Sequence, residues 1–98
     1  MKREENEIQL ILLRLVKTNK NGVPRTLLQY ATPDSEGANY KGMLIMDQWF
    51  DGHEVFNKIS LNDFGIPLQA HFVYEQSFRG MAKMKIVDIV KDGEYLLV

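Results

Sequence analysis

An aromatic ring and a guanidinium stand next to each other near the C-terminal end of the sequence, at Phe78 and Arg79. A glycine follows, where a sharp reversal of the chain can use a positive φ. The alternation beyond it predicts a strand over residues 81–90 that carries Lys83 and Lys85 on one surface. Rings stack on bases and cations follow phosphates, so this hairpin suits a single-stranded nucleic acid, with an ordinary solvated hairpin as the alternative. The predicted lysine surface comprises Met81, Lys83, Lys85, Val87 and Ile89.

Basic residues are concentrated in two stretches of the chain that contain no acid. The net charge is −1, from 12 Lys and Arg and 13 Asp and Glu, which argues against wholesale attraction to nucleic acid. However, no acid lies between Glu7 and Asp34 or between Glu75 and Asp88, and seven of the 12 basic residues fall there. This segregation predicts one basic face on a nearly neutral protein. Its members are Arg14, Lys17, Lys20, Arg25, Arg79, Lys83 and Lys85.

Exposed aromatic rings would complete such a face, because stacking contributes about 1–3 kcal/mol per base and tolerates any base. Besides Phe78, the candidate stacking platforms are Tyr30, Tyr40, Trp49 and Tyr74. Tyr40 and Trp49 fit core and surface positions equally well. We assign to the core Phe50, Phe56, Phe64 and Phe72.

Other chemistries find little support in the sequence. There is no cysteine, which excludes disulfides and thiolate catalysis and fits a reducing cytoplasm. Asp47, Asp51, His53 and Glu54 are metal-ligand types, but they lack the spacing that aligns two imidazoles, and turn solvation explains them better. No phosphate loop or serine–histidine arrangement occurs. We therefore predict neither catalysis nor a bound metal or cofactor.

The elements that must position these residues are predicted to be short strands in one domain of 98 residues. Asn-Gly at 21–22 and Asp-Gly at 51–52 and 92–93 are hairpin dipeptides. We predict a flexible acidic segment at 1–7 and a single domain at 8–98, and the apolar run 8–16 is too short for a membrane span. The pattern favours an all-β antiparallel barrel or sandwich of six or so strands. Predicted strands occupy 8–17, 25–32, 40–50, 53–59 (ambiguous), 68–76, 81–90 and 94–98, with one helical turn at 60–65.

This layout resembles the oligonucleotide/oligosaccharide-binding (OB) fold, and in particular the small single-stranded DNA-binding proteins of phages and mobile elements. The likeness is carried by Asn21-Gly22-Val23-Pro24 at the first hairpin and Phe78-Arg79-Gly80-Met81 at the last. It implies an OB-like all-β barrel of five to six strands with one short helical turn. It also implies non-catalytic, largely sequence-independent binding of single-stranded DNA in replication or transfer, with RNA as a further ligand to test.

By this resemblance Phe78 takes the stacking role, and the basic residues of the first hairpin contact phosphates. They are Arg14, Lys17, Lys20 and Arg25. The chain departs from the family in its second strand, where Thr26 or Leu27 stands at the position of an exposed aromatic residue. Tyr30 is then the substitute platform.

The alternative function is a protein–protein interaction module that docks a partner through Trp49 and Phe50 or through Leu96-Leu97-Val98. The C-terminal tail, residues 95–98, places four apolar side chains at a terminus that would otherwise fray. We expect it to pair across a two-fold axis in a homodimer. The alternative is a monomer in which the last strand completes its own barrel.

Overall fold

The computed structural model describes residues 6–36, 41–76 and 82–97, and for residues 33–36 and 82 it describes the backbone alone. Phe78, Arg79 and Tyr40 therefore lie outside the described residues, and their predicted roles stay predictions. The strands are β1 (Asn6–Lys20), β2 (Val23–Glu36), β3 (Lys41–Asp51), β4 (Pro67–Gln76), β5 (Ala82–Lys91) and β6 (Glu94–Tyr95). Between β3 and β4 lie a short helix, α1 (Glu54–Lys58), and a 3-10 turn (Leu61–Asp63).

The strands form one antiparallel sheet in the order β3-β2-β1-β4-β5-β6, curled into a half-barrel. The predicted all-β class with six strands and a short helical insertion is confirmed. Strand β1 starts two residues before the predicted strand, which was expected to begin at residue 8, because Asn6 and Glu7 already pair with Phe72 and His71 of β4. Among the described residues, no helix is long and apolar enough to cross a membrane.

Strand β1 lies in the middle of the sheet and pairs with two different strands along its length. Its first half, through Ile11, pairs with β4, and from Ile11 onward it pairs with β2. A β-bulge at Leu13 falls just after this change of partner. A bulge bends the strand and increases its twist, which lets the sheet curl.

Two of the predicted turn dipeptides close tight hairpins. Asn21 and Gly22 have φ values of 54° and 74°, and Asp92 and Gly93 have 50° and 80°. Positive φ at both central residues is the requirement of the type I′ turn, whose twist matches that of the flanking strands. These turns join β1 to β2 and β5 to β6.

The core lies on the concave side of the sheet and includes Tyr30. The Tyr30 residue is only 1% exposed, and its burial raises the pKa of its hydroxyl. The prediction that Tyr30 offers a stacking platform is therefore wrong. Tyr30 and Leu28 lie two residues apart in β2, so both side chains point to the inner face of the sheet. The buried cluster comprises Leu10, Leu12, Leu28, Tyr30, Val55, Ile59, Leu68, Ala70, Phe72, Ile86 and Ile89.

A second bulge, at Val87 in β5, places Ile89 on the face opposite to the one predicted. His71 of β4 pairs with Asp88 whereas Phe72 pairs with Ile86, so Val87 is the extra residue. One inserted residue reverses the alternation beyond it. Ile89 consequently joins the core instead of the lysine surface.

Residues 53–59 were predicted as an ambiguous strand and form α1 instead. The turn predicted at 60–65 is confirmed as the 3-10 turn. It is held by Asp63, whose Oδ2 accepts a 2.8 Å hydrogen bond from the Ser60 backbone N–H, while Lys91 of β5 forms an ion pair with its Oδ1. Burial acts to raise the pKa of Asp63, but the bonds from Lys91 and Ser60 outweigh it and leave the pKa lowered.

The C-terminal tail packs on its own chain. β6 pairs with β5 at Val90 and Lys91, and the Leu96 N–H donates a 2.7 Å hydrogen bond to the Ile89 carbonyl. Leu96 and Leu97 are partly buried against the core. The last strand thus pairs within its own sheet, while Tyr95 remains 57% exposed. The predicted homodimer stays a prediction.

Candidate nucleic-acid interface

The convex face of β1, β2 and β3 collects side chains that the strand register places in rows. Directly opposed residues of neighbouring strands share a face. One row joins Leu27 to Trp49, and the next joins Thr18 to Arg25 and Asp51. We call this convex surface the Trp49 face. It contains Arg14, Val16, Thr18, Lys20, Arg25, Leu27, Gln29, Asp47, Trp49 and Asp51.

Trp49 is the large aromatic ring of this face, and it is 45% exposed. The guanidinium carbon of Arg25 lies 4.6 Å from the centroid of the indole. A cation at this distance from a tryptophan ring is attracted by the negative charge of the π-face. The pair presents an aromatic surface and a fixed positive charge side by side, which is the combination that a nucleotide needs for its base and its phosphate.

Two clefts border Trp49 on its two sides. The first, of about 250 Å³, is lined by Thr18, Lys20, Val23, Arg25 and Trp49. The second, of about 230 Å³, lies between β3 and the β4–β5 pair. Its lining comprises Asp47, Gln48, Trp49, Glu75, Lys83, Met84 and Lys85. Trp49 thus lies where the two acid-free stretches of the sequence, residues 8–33 and 76–87, come together in space.

Acidic groups limit how positive this surface is. Lys85 Nζ lies 3.0 Å from Glu75 Oε1, and Asp47 and Asp51 flank Trp49 on its own strand. Asp47 accepts a 3.1 Å hydrogen bond from the Gln29 side chain. The interface therefore offers a few cations around a ring instead of a continuous basic channel. Such a site relies more on stacking than on charge.

The predicted phosphate ligands of the first hairpin do not all share this face. Arg14, Lys20 and Arg25 lie on it, whereas Lys17 pairs with buried Thr26 on the opposite face. The Lys17 ammonium lies 5.0 Å from the centroid of the Phe56 ring in α1. The prediction that Lys17 joins the same face is wrong, because residues an odd number of positions apart in a regular strand point to opposite sides.

Lys83 and Lys85, predicted from the late hairpin, do reach the second cleft beside Trp49. Tyr74 is exposed, but its ring makes an edge-to-face contact with Phe72, with centroids 5.4 Å apart. Phe78 and Arg79 follow the last described residue of β4 and lie outside the described residues.

Trp49 is the residue whose role sequence reasoning left undecided. A local signal was present: Asp47, Trp49 and Asp51 alternate, so they share one face of a strand. Two carboxylates on that face indicate contact with solvent, since isolated charges are costly to bury. The ring between them is therefore expected on the surface, as the structure shows.

No family model, curated protein or solved structure matches the chain. Over residues 6–36, 41–76 and 82–97, no group of three or more His, Asp or Glu side chains is arranged to hold a metal ion. In the acid–histidine cluster, His53 Nε2 instead lies 2.8 Å from the Thr18 carbonyl oxygen, a contact that ties α1 to β1.

Proposed function

We propose that this protein binds single-stranded DNA without catalysis, and that the Trp49 face is the binding surface. The observation that carries the proposal is the exposed indole of Trp49, with Arg25 against it and a cleft that contains cations on each side. Because every base has a π-face, this arrangement favours binding with little sequence preference. The setting we propose is the replication or transfer of phage or mobile-element DNA.

In the proposed complex one base stacks on Trp49, and its neighbouring phosphates approach cations in the two clefts. Lys20 and Arg25 serve the first cleft, and Lys83 and Lys85 serve the second. A strand crossing the face in this way runs from the first hairpin across β3 toward β5. The carboxylates of Asp47 and Asp51 beside the ring repel phosphates, so we expect stacking on Trp49 to contribute more to binding than ion pairs do.

The experiment is a fluorescence titration with oligo-dT, because Trp49 is the chain's single tryptophan. Stacking on a base is expected to quench its emission in a saturable way. The apparent affinity should fall with added salt, with a slope of about −0.7 per phosphate contact on a logarithmic plot. An oligo-rU titration run in parallel compares RNA with DNA.

Trp49→Ala is expected to weaken binding of a labelled oligo-dT by about 1–3 kcal/mol, measured by fluorescence anisotropy. Lys58→Ala is the matched control, because Lys58 lies in α1 and lines neither cleft. Unchanged tryptophan emission together with no binding at low salt would overturn the proposal. Equal weakening in both variants would move the site away from Trp49.

The second candidate function is a protein-interaction module, and a specific observation favours it. Met43, Leu44 and Ile45 of β3 are consecutive large apolar residues, and they are 47%, 49% and 67% exposed. Salt distinguishes the two functions: nucleic-acid binding weakens steeply with salt, whereas an apolar contact does not.

A further inference from the structure

Strand β3 lies at one end of the sheet. Among the described residues, β3 pairs with β2 on one side, and no strand pairs with it on the other. On that other side the Gln48 side chain bonds to the backbone of Ile86 in β5. Residues 41–47 precede this contact, and Met43, Leu44 and Ile45 lie exposed within them. An apolar edge of this kind is a template for another strand.

The sequence of this edge is complementary to itself. We propose that a second copy of the chain pairs antiparallel with β3, with Leu44 of both copies on the two-fold axis. In this register Lys41 of each copy stands opposite Asp47 of the other, and Met43 stands opposite Ile45. A two-fold contact repeats each pair, so the dimer gains two opposite-charge pairs and two apolar pairs on one face.

The charges select this register over its neighbours. Sliding one copy by two residues places either Asp47 opposite Met43 or Lys41 opposite Ile45, and both ion pairs are lost. On the other face, Gly42 stands opposite Met46, so the longer side chain meets a residue that has none. The pairing ends at Asp47, two residues before Trp49. Asp47 also belongs to the Trp49 face and lines its second cleft, so the dimer contact adjoins the proposed nucleic-acid face. The tests of the dimer use no nucleic acid, so failure of the dimer proposal and failure of the proposed function are distinguishable.

Cross-linking tests the two-fold position directly, because the chain contains no cysteine. In the dimer, Leu44→Cys places two thiols opposite each other, with Cβ atoms about 4.5–5.5 Å apart, close to the separation a disulfide requires. We expect mild oxidation to yield a covalent dimer on a non-reducing gel. The matched control is Leu61→Cys, since Leu61 is also an exposed leucine, at 86%, but lies in the 3-10 turn. Absence of the Leu44→Cys dimer, or equal yields from both variants, would overturn the proposal.

A charge swap tests the register. Lys41→Asp and Asp47→Lys each place like charges opposite one another at two positions, and each is expected to weaken dimerisation by about 10–30-fold. The double variant Lys41→Asp/Asp47→Lys restores opposite charges and should return to within about threefold of the natural chain. Sedimentation equilibrium over a concentration series gives the dissociation constants, and circular dichroism checks that each variant is folded. A chain that is monomeric at all concentrations, or single swaps with no effect, would show that β3 does not pair in this way.

Discussion

At the scale of single side chains, the proposed interface depends on the contact between Arg25 and Trp49. The guanidinium lies against the indole and also lines the first cleft. Arginine does two things here that lysine cannot do together: its plane stacks on a ring, and its fork of donors fits a phosphate. The two contributions can be separated by substitution.

We expect Arg25→Ala to make the salt slope of oligo-dT binding shallower by about 0.7, because one phosphate contact is lost. Arg25→Lys should keep the slope, since the charge remains, but lower the affinity, since the planar contact with Trp49 is gone. The measurement is anisotropy of labelled oligo-dT at four or more salt concentrations. Identical behaviour of the two variants would argue against a stacking role for the guanidinium.

Asp63 gives stability a dependence on pH. Its pKa in the folded chain is below the ordinary value of 3.8, despite burial, because Lys91 and Ser60 bond to the carboxylate. A lowered folded pKa contributes stability that is present above the ordinary value and is lost as the pH falls through the folded value. The hydrogen bond from Lys91 to Asp63 raises the pKa of the ammonium, so the lysine's contribution is lost only as the pH rises through that raised value.

Asp63→Asn should therefore lower the free energy of unfolding at pH 7, and the difference from the natural chain should shrink as the pH falls below 3.8. Urea unfolding at pH 7 and pH 3 measures both values. Asp51→Asn, at an exposed carboxylate at the end of β3, is the control and should change little. A difference that stays constant with pH would mean that the ionised Asp63 is not the stabilising species.

At the scale of elements, the Gln48 side chain bridges the gap between β3 and β5. Its Nε2 donates to the Ile86 carbonyl at 2.9 Å, and its Oε1 accepts from the Ile86 N–H at 2.8 Å. Both atoms of the amide thus replace the two bonds that a paired strand would make. These two bonds connect β3 to β5 across the open side of the half-barrel, between residues 38 positions apart in the sequence.

Gln48→Leu should lower the free energy of unfolding by about 1–3 kcal/mol, because the backbone groups of Ile86 lose their partner in a partly buried position. Gln29→Leu is the matched control: its amide bonds to Asp47 at an exposed site, and the expected loss is below about 0.5 kcal/mol. Chemical denaturation of both variants gives the comparison. Equal losses would show that the bridge adds nothing specific to closure.

At the scale of the whole molecule, curling of the sheet brings basic residues of the two acid-free stretches to opposite sides of Trp49. Lys20 and Arg25 come from the first hairpin, and Lys83 and Lys85 come from β5. The chain between them carries most of the acids, so the net charge of −1 conceals the local distribution. Binding of oligo-dT should therefore depend on the basic residues of both stretches.

Lys20→Ala/Arg25→Ala and Lys83→Ala/Lys85→Ala should each make the salt slope shallower, by about 0.7 for every phosphate contact removed. Lys17→Ala/Lys58→Ala is the control, because Lys17 lies on the opposite face and Lys58 lies in α1. Slopes that change equally in all three double variants would mean that binding follows total charge and not the Trp49 face.

Much of the architecture could be predicted from short stretches of sequence, because turns and alternation are local properties. Asn21 and Gly22 adopt the positive φ that their types favour, and they close the first hairpin. Ser60 and Asp63 form the predicted turn through bonds three residues apart. The all-β class and the number of strands follow from signals of this kind.

The faces of the strands and the candidate site were decided by tertiary structure. The single-residue bulges at Leu13 and Val87 have no strong local signature, yet the second one turns Ile89 into the core. Tyr30 is buried and Trp49 exposed because of what packs against each side of the sheet. A strand's sequence determines which residues share a face, but contacts between distant parts of the chain determine which face meets water.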